Sequence, residues 1–170
     1  MLLCDIQRIL EGNVKETGIT IIELVVVVSI IGILVAGMGF SYQDWVERYE
    51  VERATKELYL DMMRTRMRAM ESGREHYLIL NERSYSVAED TNESGDYDDP
   101  PLPGFPKAVD RQLGWNDHHT VSKIIFDRRG LMSELKTIWI TSADADFNCI
   151  AVSRSRIITG KYVGGICEKK

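Results

Sequence analysis

The sequence predicts an α+β protein: one long N-terminal α-helix, membrane-like in its first half and amphipathic in its second, packed on a small antiparallel β-sheet head. Three observations predict it. Residues 19–40 form an apolar run, residues 41–73 keep a helical period while becoming densely charged, and after Gly73 the pattern breaks into short strand-like segments between turn residues.

The apolar run ITIIELVVVVSIIGILVAGMGF, Ile19 to Phe40, holds a single charged residue, Glu23. At about 1.5 Å per residue it reaches roughly 33 Å, enough for a hydrocarbon core of about 30 Å. Its many β-branched residues are weak helix formers in water. Lipid nevertheless enforces the helix, because the backbone groups have no water to bond. A cleaved secretory signal would have a shorter apolar region with small residues after it. A plain anchor leaves Glu23 unexplained, since a carboxylate at that depth costs on the order of 2.5–3.5 kcal/mol and persists only where another group answers it.

Gly37 and Gly39 interrupt the run near its end and are expected to loosen it locally. From residue 41 onward, Val51, Ala54, Leu58, Met62 and Ala69 recur at helical spacing, giving one buried stripe, with Leu60 assigned to the apolar side. Gly73 reads as the C-cap, so the helix is expected from about Ile19 to Ser72. Strands are expected at Tyr77–Leu80, Tyr85–Val87, Val121–Phe126, Thr137–Ile140, Cys149–Val152 and Ile157–Ile158, with a hairpin turn at Asp127-Arg128-Arg129-Gly130. Residues 89–107, with six acids and all four prolines, read as a surface loop, mobile or holding a partner.

The 170 residues fit one ordinary domain plus an appendage. A net charge of −5 excludes a surface that is wholly a nucleic-acid footprint, though not a local basic patch. No nucleophile–base pair, phosphate loop or pair of catalytic carboxylates is found, so the chain does not read as an enzyme, and no cofactor is implied.

Gly18-Ile19-Thr20-Ile21-Ile22-Glu23, followed by Leu24-Val25-Val26-Val27-Val28, resembles the prepilin peptidase site of type IV pilins and type II secretion pseudopilins. The resemblance implies that a membrane aspartyl protease cuts between Gly18 and Ile19, that Ile19 is then N-methylated, and that Glu23 is the glutamate at the fifth position of the mature chain. Such chains usually have phenylalanine first after the cut; here it is Ile19. Cutting creates an ammonium about one helical turn from Glu23. In a filament, the ammonium of an incoming subunit pairing with a neighbour's Glu23 would set axial register, because a misplaced subunit leaves a buried charge unpaired.

The head carries a weaker resemblance. Ile125-Phe126-Asp127-Arg128-Arg129-Gly130, Ile138-Trp139-Ile140 and Cys149-Ile150-Ala151-Val152-Ser153 are similar to the head of GspH/FimT-type minor pilins and pseudopilins, which implies a helix packed on two small antiparallel sheets. The organisation expected is a leader at 1–18, a transmembrane and polymerisation helix at 19–40, an amphipathic half at 41–73 and a periplasmic β-rich head at 74–170. The implied partners are prepilin peptidase, other pilins or pseudopilins, the inner membrane and its assembly platform. The implied location is the bacterial inner membrane, single-pass, and then the filament.

The leader carries Asp5, Glu11 and Glu16 against Arg8 and Lys15, whereas leaders of this kind are usually short and basic. Translation starting at Val14 from a GTG codon would give an ordinary five-residue leader, and Cys4 would never be made. In an oxidising periplasm Cys149 and Cys167 are expected to pair, the alternative being two free buried thiols. The Ser153-Arg154-Ser155-Arg156 turn resembles the Gly-Arg-X-Arg turn with which some FimT-like members bind DNA, serine here replacing the glycine. Arg154 and Arg156, helped by Lys161, Lys169 and Lys170, would grip phosphates, or would form a solvated hairpin paired to acids. Arg64, Arg66 and Arg68 face different sides of the helix and make no single patch. Asp144, Asp146 and Asn148 mimic the start of a calcium loop, but Cys149 and Ser155 stand where a glycine and a glutamate are needed. His118-His119 reads as loop. The function expected is a minor pilin or pseudopilin; the alternative is a FimT-like DNA-binding minor pilin for natural transformation.

Overall fold

A computed structural model of the chain describes residues 18–95, 98–117, 120–141 and 145–170; within the helix, the side chains of 36–41 are not described. Two compact units divide the chain, the first ending at Tyr42 and the second running from Gln43 to Lys170.

Helix α1 spans Ile21–Ser72 and therefore contributes to both units. In the first unit its start is set by Thr20. The Thr20 carbonyl accepts the N–H of Leu24 (3.1 Å), and its hydroxyl accepts the N–H of Glu23 (3.3 Å). A threonine three residues ahead of a glutamate is the sequence pattern of a capping box, and it places the helix start at Ile21, two residues later than expected. From Ile21 to Val35 every described residue is exposed. Among the described residues, no helix is long and apolar enough to cross a membrane. The helix ends as the sequence predicts: Gly73 lies at φ 65°, and its N–H returns to the Ala69 carbonyl at 3.1 Å.

The second unit is an α+β head. Strands β1 (His76–Asn81), β2 (Ser84–Glu89), β3 (Lys107–Ala108) and β5 (Ser122–Phe126) form one antiparallel sheet in the order β3-β2-β1-β5. Strands β4 (Leu113–Trp115), β6 (Lys136–Ile140), β7 (Cys149–Val152), β8 (Ile157–Val163) and β9 (Ile166–Lys169) form the other, in the order β4-β6-β7-β8-β9. One core joins the helix to both sheets. Val51, Leu58, Met62 and Ala69 are buried in it with Leu78, Leu80, Val87, Ile124 and Phe126 of the first sheet and Ile138, Ile140, Ile150 and Val152 of the second. The buried helix stripe follows the predicted spacing, whereas Leu60 is 51 % exposed and belongs to the opposite side. Thr55 and Thr65 are also buried, each returning its hydroxyl to the carbonyl four residues back (2.9 and 2.7 Å).

Two glycines permit close approaches. A Cβ on Gly114 would fall 2.3 Å from the Trp139 ring, which stacks on Tyr162 (4.4 Å between centroids). A Cβ on Gly160 would fall 1.8 Å from the Glu168 carbonyl oxygen, so β9 can cross β8 there only because position 160 has no side chain. Cys149 and Cys167 form a disulfide, with Cα atoms 5.8 Å apart, tying β7 to β9.

Candidate processing and interaction sites

The scissile bond proposed by the sequence, Gly18–Ile19, lies in non-helical backbone immediately before the Thr20 cap. Glu23 sits on the first turn of α1, where a carboxylate is favoured by the exposed N–H groups of the helix start. Ile19, Ile21, Ile22 and Leu24 around it are 58–84 % exposed. The site thus presents an acid within an apolar surface that no described residue of the first unit covers. The remainder of the expected leader, Cys4 and Val14 included, lies outside the described residues.

The β7–β8 turn is held by backbone bonds between Ser153 and Arg156 and by the Ser153 hydroxyl donating to the Arg156 carbonyl (2.8 Å). Arg154 and Arg156 point outward and are exposed. Among the described residues, no carboxylate lies within ion-pair distance of either guanidinium. The helix supplies a third cation: the Arg66 guanidinium donates to the Ser155 carbonyl at 3.1 Å. Sequence reasoning dispersed Arg64, Arg66 and Arg68 over the helix surface. Arg66 is brought to the turn only by a contact 89 residues away, which helical periodicity cannot reveal. Lys170 is engaged elsewhere, with Asp146.

The 89–107 loop is anchored at both ends. Asp90 accepts the N–H groups of Ser94 (3.1 Å) and Gly95 (3.0 Å) and the Tyr77 hydroxyl (3.1 Å). Burial pushes the Asp90 carboxyl upward, but these bonds outweigh it and hold the group below its ordinary range. At the far end, Leu102 donates to the Val87 carbonyl (2.7 Å), and Lys107 pairs with Asp61 (2.7 Å) and Glu57 (2.9 Å) on α1. Asp61 is buried and also accepts the Tyr85 hydroxyl at 2.8 Å. Asp61 falls between Leu58 and Met62 on the buried stripe, which is the signal in the sequence that would have found it.

A buried cation was also missed. Lys136 is 4 % exposed, and its ammonium meets Asp117 (2.6 Å), Glu134 (3.2 Å), the Lys123 carbonyl (3.0 Å) and the Ser122 hydroxyl. Alternation back from Ile140 through Ile138 puts Lys136 on the inner face of β6, so its strand parity carried the information. Of the calcium-like residues, Asn148 is buried and accepts the Tyr162 N–H (2.7 Å), while Asp144 lies outside the described residues, as do His118 and His119.

No family model matches the chain, and no curated protein matches it. Among solved structures it is similar to the type IV minor pilin FimU of Pseudomonas aeruginosa (strain PAO1), with a TM-score of 0.52 and 18 % identity over 69 % of this chain and 92 % of that one. At this identity the likeness is one of fold: a long helix packed on antiparallel sheets.

Proposed function

We propose that the protein is a minor pilin or pseudopilin: a filament subunit made as a precursor, cut between Gly18 and Ile19, N-methylated at Ile19 and inserted in the bacterial inner membrane until it joins a pilus or pseudopilus. The observation that carries this reading is the exposed apolar surface of residues 19–35 with one acid, Glu23, set into it. In the sequence the run continues to Phe40, long enough to span a bilayer. In the filament Glu23 meets the Ile19 ammonium of a neighbour, and a subunit out of register leaves both charges unpaired in an apolar bundle. The minor-pilin fold of the similar structure supports the same reading.

Mass spectrometry of the protein from its host tests this. The expected N-terminus is N-methylated Ile19; retention of residues 1–18 in the filament-associated form would sink the proposal. Glu23→Ala should be processed normally yet fail to enter filaments.

One observation favours a second reading, DNA binding. Arg154, Arg156 and Arg66 converge on one exposed turn. If they grip phosphates, binding by the full chain in detergent weakens steeply with salt, and Arg154→Ala/Arg156→Ala abolishes it. Binding that survives the double change, or none at low salt, removes this reading.

A further inference from the structure

Asn92-Glu93-Ser94, just past the end of β2, is an asparagine followed two residues later by a hydroxyl residue, with no proline between them. That triplet is the acceptor pattern for an N-linked sugar. Of the asparagines at positions 13, 81, 92, 116 and 148, Asn92 alone has a serine or threonine at that place. A triplet is a short signal, and the fold adds three observations to it. Residues 91–95 are all exposed. The Asn92 side-chain oxygen accepts the Ser94 N–H at 2.9 Å, closing an Asx turn over the triplet itself, with Glu93 at φ 54°. Asp90, buried behind the turn, accepts the N–H groups of Ser94 (3.1 Å) and Gly95 (3.0 Å), so the turn is pinned from the inside and Asn92 is held on the outside.

We infer that Asn92 is an N-glycosylation site, its Nδ2 the acceptor and a lipid-diphosphate-linked oligosaccharide the donor. The inference rests on the proposed reading of a membrane-held precursor, because such a chain shares its bilayer with a lipid-borne donor. In the transfer the bond from Nδ2 to the sugar C1 forms and the bond from C1 to the diphosphate oxygen breaks. The lipid diphosphate leaves, one Nδ2 proton passes to a carboxylate of the transferase, and nothing is oxidised or reduced. An amide nitrogen is a weak nucleophile, since its lone pair is shared with the carbonyl, so the transferase must surround and orient it. Asn92 allows this. Its Nδ2 meets the carboxylate of Asp98 at 3.3 and 3.5 Å, and the Ser94 hydroxyl meets the same group at 3.3 Å. Asp98 is itself exposed, so a transferase replaces surface contacts without opening the core. The attached sugar covers an acidic, exposed turn and displaces no core side chain.

Tandem mass spectrometry of the full chain, purified in detergent from its host and digested with trypsin, tests this. The peptide from Ser84 to Lys107 has no internal lysine or arginine and contains the whole triplet. It should carry an oligosaccharide on the Asn92 side chain. Asn92→Gln and Ser94→Ala should each abolish the modification, whereas Ser94→Thr, which keeps a hydroxyl at the third position, should retain it. Asn92 and Ser94 are exposed, and an intact Cys149–Cys167 disulfide reports that each variant has folded. The N-terminal peptide of the same digest reports processing. A bare Asn92 on a chain that begins at Ile19 overturns the inference and leaves the filament reading standing. A bare Asn92 on a chain that keeps residues 1–18 overturns both. Sugar on the hydroxyl of Thr91 or Ser94, or sugar on Asn92 that survives Ser94→Ala, overturns the acceptor assignment.

Discussion

Residues 21–35 and residues 51–69 belong to the same helix and meet opposite fates. In the first stretch, Val25, Val26, Val27 and Ile30 remain about half exposed. In the second, Leu58, Met62 and Ala69 are essentially inaccessible. Both are rich in apolar residues; what differs is their distribution. The second stretch confines its apolar residues to one stripe that two sheets cover, so its helix is stabilised by tertiary packing within the chain. The first is apolar all round, and its described residues stand exposed. Its helix must be completed by lipid or by other helices. One element therefore combines a half that is finished on folding with a half that, on the proposed reading, is finished on assembly.

The largest test of this contrast compares truncations in the two stretches. Met62→Ala removes a fully buried side chain and should cost the head about 2–5 kcal/mol, read as a fall in the denaturant midpoint of the full chain in detergent. Val27→Ala, at a site 49 % exposed, should leave that midpoint within about 0.5 kcal/mol while weakening incorporation into filaments. Equal shifts for the two variants would mean that the helix is one cooperative unit.

A smaller effect sharpens the picture inside the head. Gly160→Ala drives a Cβ into the Glu168 carbonyl. Backbone cannot step aside as a flexible side chain can, so about 1–3 kcal/mol should be lost, with faster hydrogen exchange confined to β8 and β9. Gly164→Ala meets no atom within 4 Å but must adopt φ 58°. Its cost should be about 1 kcal/mol, without loss of the β8–β9 register. If the two variants exchange alike, crowding at Gly160 is not what shapes the hairpin.

Much of this contrast was legible in the sequence. The apolar run, the buried stripe from Val51 to Ala69, the Gly73 cap and six strands followed from periodicity and turn chemistry, and pairing of the two C-terminal cysteines was expected. The short strands β3, β4 and β9 were not legible. Lys107–Ala108 and Leu113–Trp115 are too brief to show a period, and Ile166–Lys169 is paired largely by the geometry that Gly160 allows. Glu23 could be singled out because an acid in an apolar run is locally anomalous. Arg66 could not, because its partner is remote in sequence. Asp61 and Lys136 were masked by their own charge: both occupy positions whose parity is that of the core, and their burial depends on partners that no local pattern names.

Those buried polar partners give the last and smallest prediction, a loss of head stability in alkali. Burial, and then hydrogen bonding to the Asp61 carboxylate, keep the Tyr85 hydroxyl protonated well above its ordinary 10.0. Burial and then Asp90 act likewise on Tyr77. Burial alone would push Lys107 down, but its bonds to Asp61 and Glu57 outweigh this and raise it above 10.5. For each group the folded value exceeds the unfolded one. The stability it contributes is therefore fully present below the unfolded value and is lost as pH rises through the folded one. The head should hold its denaturant midpoint up to about pH 10 and lose stability above it, with phenolate absorbance from Tyr77 and Tyr85 appearing only as the head unfolds. Tyr85→Phe should cost about 1 kcal/mol at neutral pH and make the alkaline decline shallower. Residues 21–35 contain no tyrosine or lysine, so helical signal from that stretch should persist through the same range. Its loss together with the head would erase the distinction between the two halves of the helix.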